Sequence, residues 1–119
     1  MPKYMVLLNA PEPAKDQMAR SSMEQMQASM AAWIAWKDEA EKKVTFTFGS
    51  PLQAVARITH TEAGESDNQI SGYAMIEADS QELAVEVLRN HPHLLRDGAT
   101  IDLAEVVTMP GMSHTASEA

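Results

Sequence analysis

Few residues in this chain have types and spacing suited to chemistry. Of its four histidines, only His91 and His93 are close, two positions apart across Pro92. Neutral imidazoles suit proton transfer or transition-metal ligation, and on an extended segment both rings reach the same side. Two ligands do not make a metal centre. His60 or Asp97 would have to converge on the pair, and no ligand spacing in the chain supports that. Neither a metal nor a cofactor is therefore expected. Two readings of the pair remain open. In one, His91 finishes a helix, held by its dipole, while His93 bonds to backbone in the following turn. In the other, His93 is a general acid or base on a cavity wall, with His91 as a ligand contact beside it.

Tyr73 occupies the middle of the best strand pattern, where a phenol either orients a ligand or packs at a subunit interface. Arg57 lies in an apparent strand of an acidic chain; it either anchors an anionic ligand or is solvated at a sheet edge. Trp36 stands off the apolar stripe of a long helix, placed to cover a core edge, a cavity or a partner surface. The chain has no glycine-rich phosphate loop, no Gly-x-Ser-x-Gly elbow, no His-Glu-x-x-His and no calcium loop. Ser113-His114 lacks a third group to orient it. With no cysteine, disulfides, thiolate metal sites and a cysteine nucleophile are excluded.

These residues must be positioned by elements that can be read from periodicity. Lys3 to Asn9 predicts a strand, stopped by Pro11 and Pro13. Asp16 to Lys43 has no Gly or Pro and is rich in helix formers, which predicts one long helix. Met23, Met26, Met30, Trp33, Ile34 and Lys37 recur at helical steps, predicting a face packed on the core, with ligand contact as the other reading of the methionine stripe. Val44 to Phe48 and Ala54 to Thr61 alternate as strands, and Ile70 to Ala78 does so most clearly. Asp79, with Glu82 three residues on, predicts a capped second helix whose buried face is Leu83, Ala84, Val87, Leu88 and His91. Asp97-Gly98 then turns the chain into a last strand, Ala99 to Met109.

The order predicts an α+β domain: a ferredoxin-like antiparallel sheet with two helices on one face. Its other face would carry Tyr73 and Met75 and is partly apolar, so a two-fold homodimer with facing sheets and a shared cavity is expected. A length of 119 residues allows one domain, here 1–109, followed by a small polar tail, 110–119. The net charge of −8 argues against nucleic acid, since phosphate binding needs a basic surface. No apolar run approaches the roughly 20 residues of a membrane span, and no signal-like segment is present, so a cytoplasmic protein without a membrane partner is expected.

The stretch Ser71-Gly72-Tyr73-Ala74-Met75-Ile76-Glu77-Ala78-Asp79-Ser80, the helix from Glu82 to Val87, then His91-Pro92-His93-Leu94 and Gly98, resembles the YCII-related (DGPF) domain family. Pro2 to Met5, Met30 to Trp36 and Gly49-Ser50-Pro51-Leu52 match in position and character. The resemblance implies a dimeric α-β barrel of ferredoxin-like subunits, and it singles out His93 through the family's Pro-His-Leu. Glu65-Ser66-Asp67-Asn68 stands in place of the Asp-Gly-Pro-Phe signature. Residues 20–24 hold no histidine, so the His-Asp mechanism of some relatives is not implied.

Two functions follow as expectations. One is a protein that binds a small, partly aromatic or anionic molecule in a cavity lined by Tyr73, His93, Trp36, Arg57 and His91, with His93 available for acid/base chemistry. The other is a non-catalytic accessory or regulatory protein acting through its dimer surface.

Overall fold

A computed structural model describes residues 1–111; almost all of the expected tail, including Ser113 and His114, lies outside the described residues. The chain runs β1 (Lys3–Asn9), α1 (Ala14–Arg20), α2 (Met23–Ala40), β2 (Thr45–Pro51), β3 (Arg57–Ile58), β4 (Ala63–Gly64), β5 (Ile70–Glu77), α3 (Gln81–Leu88), a 3-10 turn (Pro92–Leu95) and β6 (Thr100–Glu105). Four strands form an antiparallel sheet in the order β2-β5-β1-β6. The α+β class read from the sequence therefore holds.

Strict alternation decides which face is covered. Tyr4, Val6 and Leu8 of β1, Phe46 of β2, and Ala74 and Ile76 of β5 are buried on one side, in a single cluster with Ala40 of α2 and Ala84, Val87 and Leu88 of α3. Both helices therefore pack on that face. On the other, Met5, Leu7, Tyr73 and Met75 form a half-buried apolar band beside exposed Thr45 and Thr47. Cross-strand pairing puts Leu7 opposite Tyr73, and Met5 opposite Met75.

Several elements differ from the sequence reading. The expected long helix is two helices. Ser21 and Ser22 divide them: Ser21 Oγ donates to the Gln17 carbonyl at 2.7 Å, and Ser22 forms a reciprocal capping box with Gln25. Those local bonds satisfy backbone groups that a continuous helix would otherwise hold, so the chain turns there. The methionine face is also not core. Met23 is 68% exposed and Met30 59%, and α2 reaches the core only through Trp33, Trp36 and Ala40 near its C-terminal end.

Ala54 to Thr61 gives only a two-residue strand, β3, which pairs with β4 in a separate ribbon. Val55 and Ile58 are each 78% exposed, so the alternation there had no sheet to bury against. The cap of α3 is Ser80, whose Oγ accepts from the Leu83 N–H at 3.1 Å, rather than Asp79. The last strand stops at Glu105, leaving Val107 exposed.

Two glycines meet real backbone demands. Gly98 adopts φ +73°, in the turn that delivers the chain to β6. At Gly49 a Cβ would run into the Tyr73 carbonyl and ring, so β2 reaches its bulge close against β5 only because this position lacks a side chain.

Candidate functional site

The two ends of α2 have different surroundings. Its C-terminal half lies on the sheet. Its N-terminal half, with α1, stands away from it, and the gap is a cleft of about 390 Å³. Met18, Met26 and Met30 line the helix side, Phe48 and Gly72 the sheet side, and Trp33 the inner end. The Ser21–Ser22 break turns the chain here, so both α1 and α2 contribute wall. The bulge between Phe48 and Pro51 brings Gly49, Ser50 and Pro51 to the opposite wall.

His93 and Arg96 complete the lining. The 3-10 turn has three residues per turn, which eclipses positions three apart and places both side chains on the cleft side. His93 is 2% exposed and its Nε2 is 2.8 Å from the Asn9 carbonyl, to which it donates in the neutral ring. That assignment leaves Nδ1 as the basic nitrogen. Burial lowers the His93 pKa below its usual value; the backbone of Asn9 and Thr100 opposes the shift, and the Arg96 charge adds to it. Around neutral pH the ring is therefore neutral and able to accept a proton.

His91, two residues earlier, has a different environment. It is not a helix C-terminal residue but the N-cap of the 3-10 turn: its Nδ1 accepts the His93 N–H at 3.0 Å. The neutral proton must then sit on Nε2, which is buried without a nitrogen or oxygen partner among the described residues. Aromatic rings enclose it. The Trp33 ring centroid is 4.6 Å away in a T-shaped arrangement, and that of Trp36 is 4.5 Å away, tilted by 58°. Burial foremost, then the neighbouring His93, lowers its pKa from 6.5 to about 4. His91 thus lies sealed behind the cleft.

The remaining expected residues divide. Tyr73 borders the cleft where β5 passes Gly49, but its side chain belongs to the opposite face of the sheet, across from Leu7. Trp36 does not; it packs edge-on against Phe46 at 4.8 Å, beneath His91, and Trp33 takes the position at the wall. Arg57 lies away from it, on β3, with its guanidinium 2.7 Å from Asp67. The expected cavity between two copies is also a different space, since the cleft opens within one chain on the helix-covered side of the sheet. No group of three metal-ligating side chains occurs among the described residues, and His60 is exposed in a loop.

Sequence reasoning missed Arg96 and the wall position of Trp33, and it ranked core packing of the methionine stripe above the ligand contact that the cleft makes available to Met26 and Met30. For Arg96 a signal existed, since Pro92 starts a tight turn and Arg96 is three residues after His93. A second cavity of about 220 Å³, beside Pro11, Gln53 and Asn68, has neither a histidine nor a cation in its described wall. No protein-family model matches the chain, and no curated protein matches it. Among the described residues, no helix is long and apolar enough to cross a membrane.

Proposed function

We propose that this chain binds a small molecule in the cleft between its helices and its sheet, with His93 placed for acid/base assistance. The observation that carries the reading is the composition of that cleft: adaptable methionine and aromatic walls around a few convergent polar groups, in a volume suited to a small ligand. His93 is held in one orientation by Asn9, as a proton-transfer residue must be. His93→Ala should abolish any turnover, while sedimentation and circular dichroism stay unchanged.

The same reading takes the fold as ferredoxin-like and the chain as a divergent relative of the YCII-related family. In its support, the strand order β2-β5-β1-β6 is what two β-α-β passes in one antiparallel sheet produce. The band of Met5, Leu7, Tyr73 and Met75 is then the face on which two copies meet in a cytoplasmic homodimer. Tyr73→Glu should split that dimer; an unchanged sedimentation coefficient would rule out face-to-face sheets.

The alternative is a non-catalytic accessory protein. The stripe of Met23, Met26, Met30 and Ile34 favours it, because an exposed apolar helix face of that length suits a partner surface. A neutral environment-sensitive dye, N-phenyl-1-naphthylamine, separates the two. Saturable binding that Met30→Glu removes supports a ligand cleft; no binding supports a partner surface.

A further inference from the structure

The charge distribution around the cleft narrows what it can hold. The protein carries a formal charge of −8, yet among the described residues lining this cleft Arg96 is the only charged one. Its nearest carboxylate is Glu12, at 3.9 Å. Glu12 is already occupied: Arg20 Nε donates to both of its oxygens at 2.8 and 3.0 Å, and Arg20 Nη2 to one of them at 2.8 Å. This fork satisfies Glu12 and pulls its pKa below the usual carboxylate range. Arg20, Glu12 and Arg96 thus sum to one positive charge, and the unspent guanidinium is the one at the cleft. Beside it, His93 adds no charge near neutral pH, and Ser29 and Ser50 offer hydroxyls, whereas those of Ser21 and Ser71 already donate to the Gln17 and Leu8 carbonyls.

We infer that the ligand of this cleft is an apolar, preferentially aromatic, monocarboxylate, its anionic group held by Arg96 and its body between Trp33, Phe48 and the methionines. The inference rests on the ligand-cleft reading above and goes beyond it by naming the ligand class and the anchor. A volume of about 390 Å³ lies at the small end of the range of small-molecule pockets. A dianion such as a nucleotide would leave one of its charges unmatched by the single cation of the lining. Arg20 acts as a positioning residue, keeping Glu12 from neutralising Arg96.

Three probes of one shape provide the test: 2-naphthoate, neutral 2-naphthamide and cationic 2-naphthylmethylamine. Calorimetric titration of the full chain measures affinity. Quenching of Trp33 in a Trp36→Phe background reports that the probe is in the cleft. The expected result is naphthoate binding at least tenfold tighter than the amide, with the amine weakest. Arg96→Gln should erase the naphthoate preference while leaving amide affinity within twofold, Arg96→Lys should restore part of it, and Arg20→Gln should reduce it severalfold. Equal affinity for acid and amide in the unmodified protein overturns the anion inference and leaves the cleft reading standing. A preference that survives Arg96→Gln overturns Arg96 as the anchor. If none of the three probes binds, the ligand-cleft reading itself fails. The acid-to-amide ratio in the unmodified protein is decisive even if a variant does not fold.

Discussion

His91 and His93 are two residues apart in one turn, yet they belong to different parts of the molecule. His91 is enclosed by Trp33, Trp36 and Phe46, and its Nε2 has no hydrogen-bond partner among the described residues. His93 reaches the cleft wall and is fixed by a backbone carbonyl. The same contrast runs along α2, which is packed at Trp36 and Ala40 and exposed from Met23 to Ala32. One end of the helix layer supplies stability and leaves the other free to stand off the sheet. Mutations at the two ends should therefore separate stability from binding.

The largest effect is expected from the packed end. Phe46 is 2% exposed and touches Trp36 and Phe48 edge-on. Phe46→Ala should cost about 3–5 kcal/mol through lost burial and a cavity. Met30→Ala, at a position 59% exposed, should change stability by no more than about 0.5 kcal/mol while weakening cleft binding. Urea denaturation of both variants measures the contrast; equal losses would show that the cleft wall is core after all.

Next comes pH. His91 has a folded pKa of about 4 against an ordinary 6.5, so the unfolded chain binds the proton more tightly. The stability this contributes is fully present above pH 6.5 and is lost as pH falls toward 4, by up to about 3 kcal/mol. His93 shifts the same way and adds to the slope. Protonating His91 also puts a proton on Nδ1, the atom that accepts the His93 N–H. Denaturation at pH 7, 6 and 5, before most carboxylates titrate, isolates the effect, and His91→Phe should flatten the slope. A stability independent of pH over that range would show that the aromatic enclosure admits the charged ring.

Much of the packed end was legible in the sequence, and much of the open end was not. The alternation in Lys3–Asn9 and Ile70–Glu77 reports burial directly, because one face of each strand is covered. A helical apolar stripe does not. Met23, Met26 and Met30 have the spacing of a core face, but what they face depends on where the sheet ends beneath them, which no local pattern encodes. The seryl pair that divides the helices was readable, since Ser22-x-x-Gln25 is a capping box; the surrounding helix formers outweighed it. For Arg57 the apparent strand allows an anion anchor or a solvated edge residue, and its exposed pair with Asp67 fits the second, whereas the placement of Arg96 arises from a 3-10 turn and from an ion pair with a residue far away in sequence.

A smaller effect is expected at the junction of α1 and α2. Ser22→Ala removes the acceptor for the Gln25 N–H and should cost about 1 kcal/mol. Because α2 is exposed over its first half, the loss should be local. Hydrogen exchange should quicken at residues 24 to 28 with little change at Val6 or Ile76. Exchange that quickens throughout the sheet would mean that the stand-off half of α2 and the core unfold as one unit.

The smallest effect separates the two arginines. Arg57 pairs with Asp67 at 2.7 Å, but their side chains are 56% and 85% exposed, and solvent screens such a pair. Arg57→Gln should change stability by less than about 0.5 kcal/mol and leave naphthoate affinity unaltered, while Arg96→Gln reduces it. What sets them apart is surroundings rather than residue type: Arg57 competes with water for its partner, whereas Arg96 stands at an apolar wall where water is fewer and its nearest carboxylate is engaged. Equal losses of affinity in the two variants would reduce the contribution of Arg96 to long-range charge and remove the distinction between the cleft and the rest of the surface.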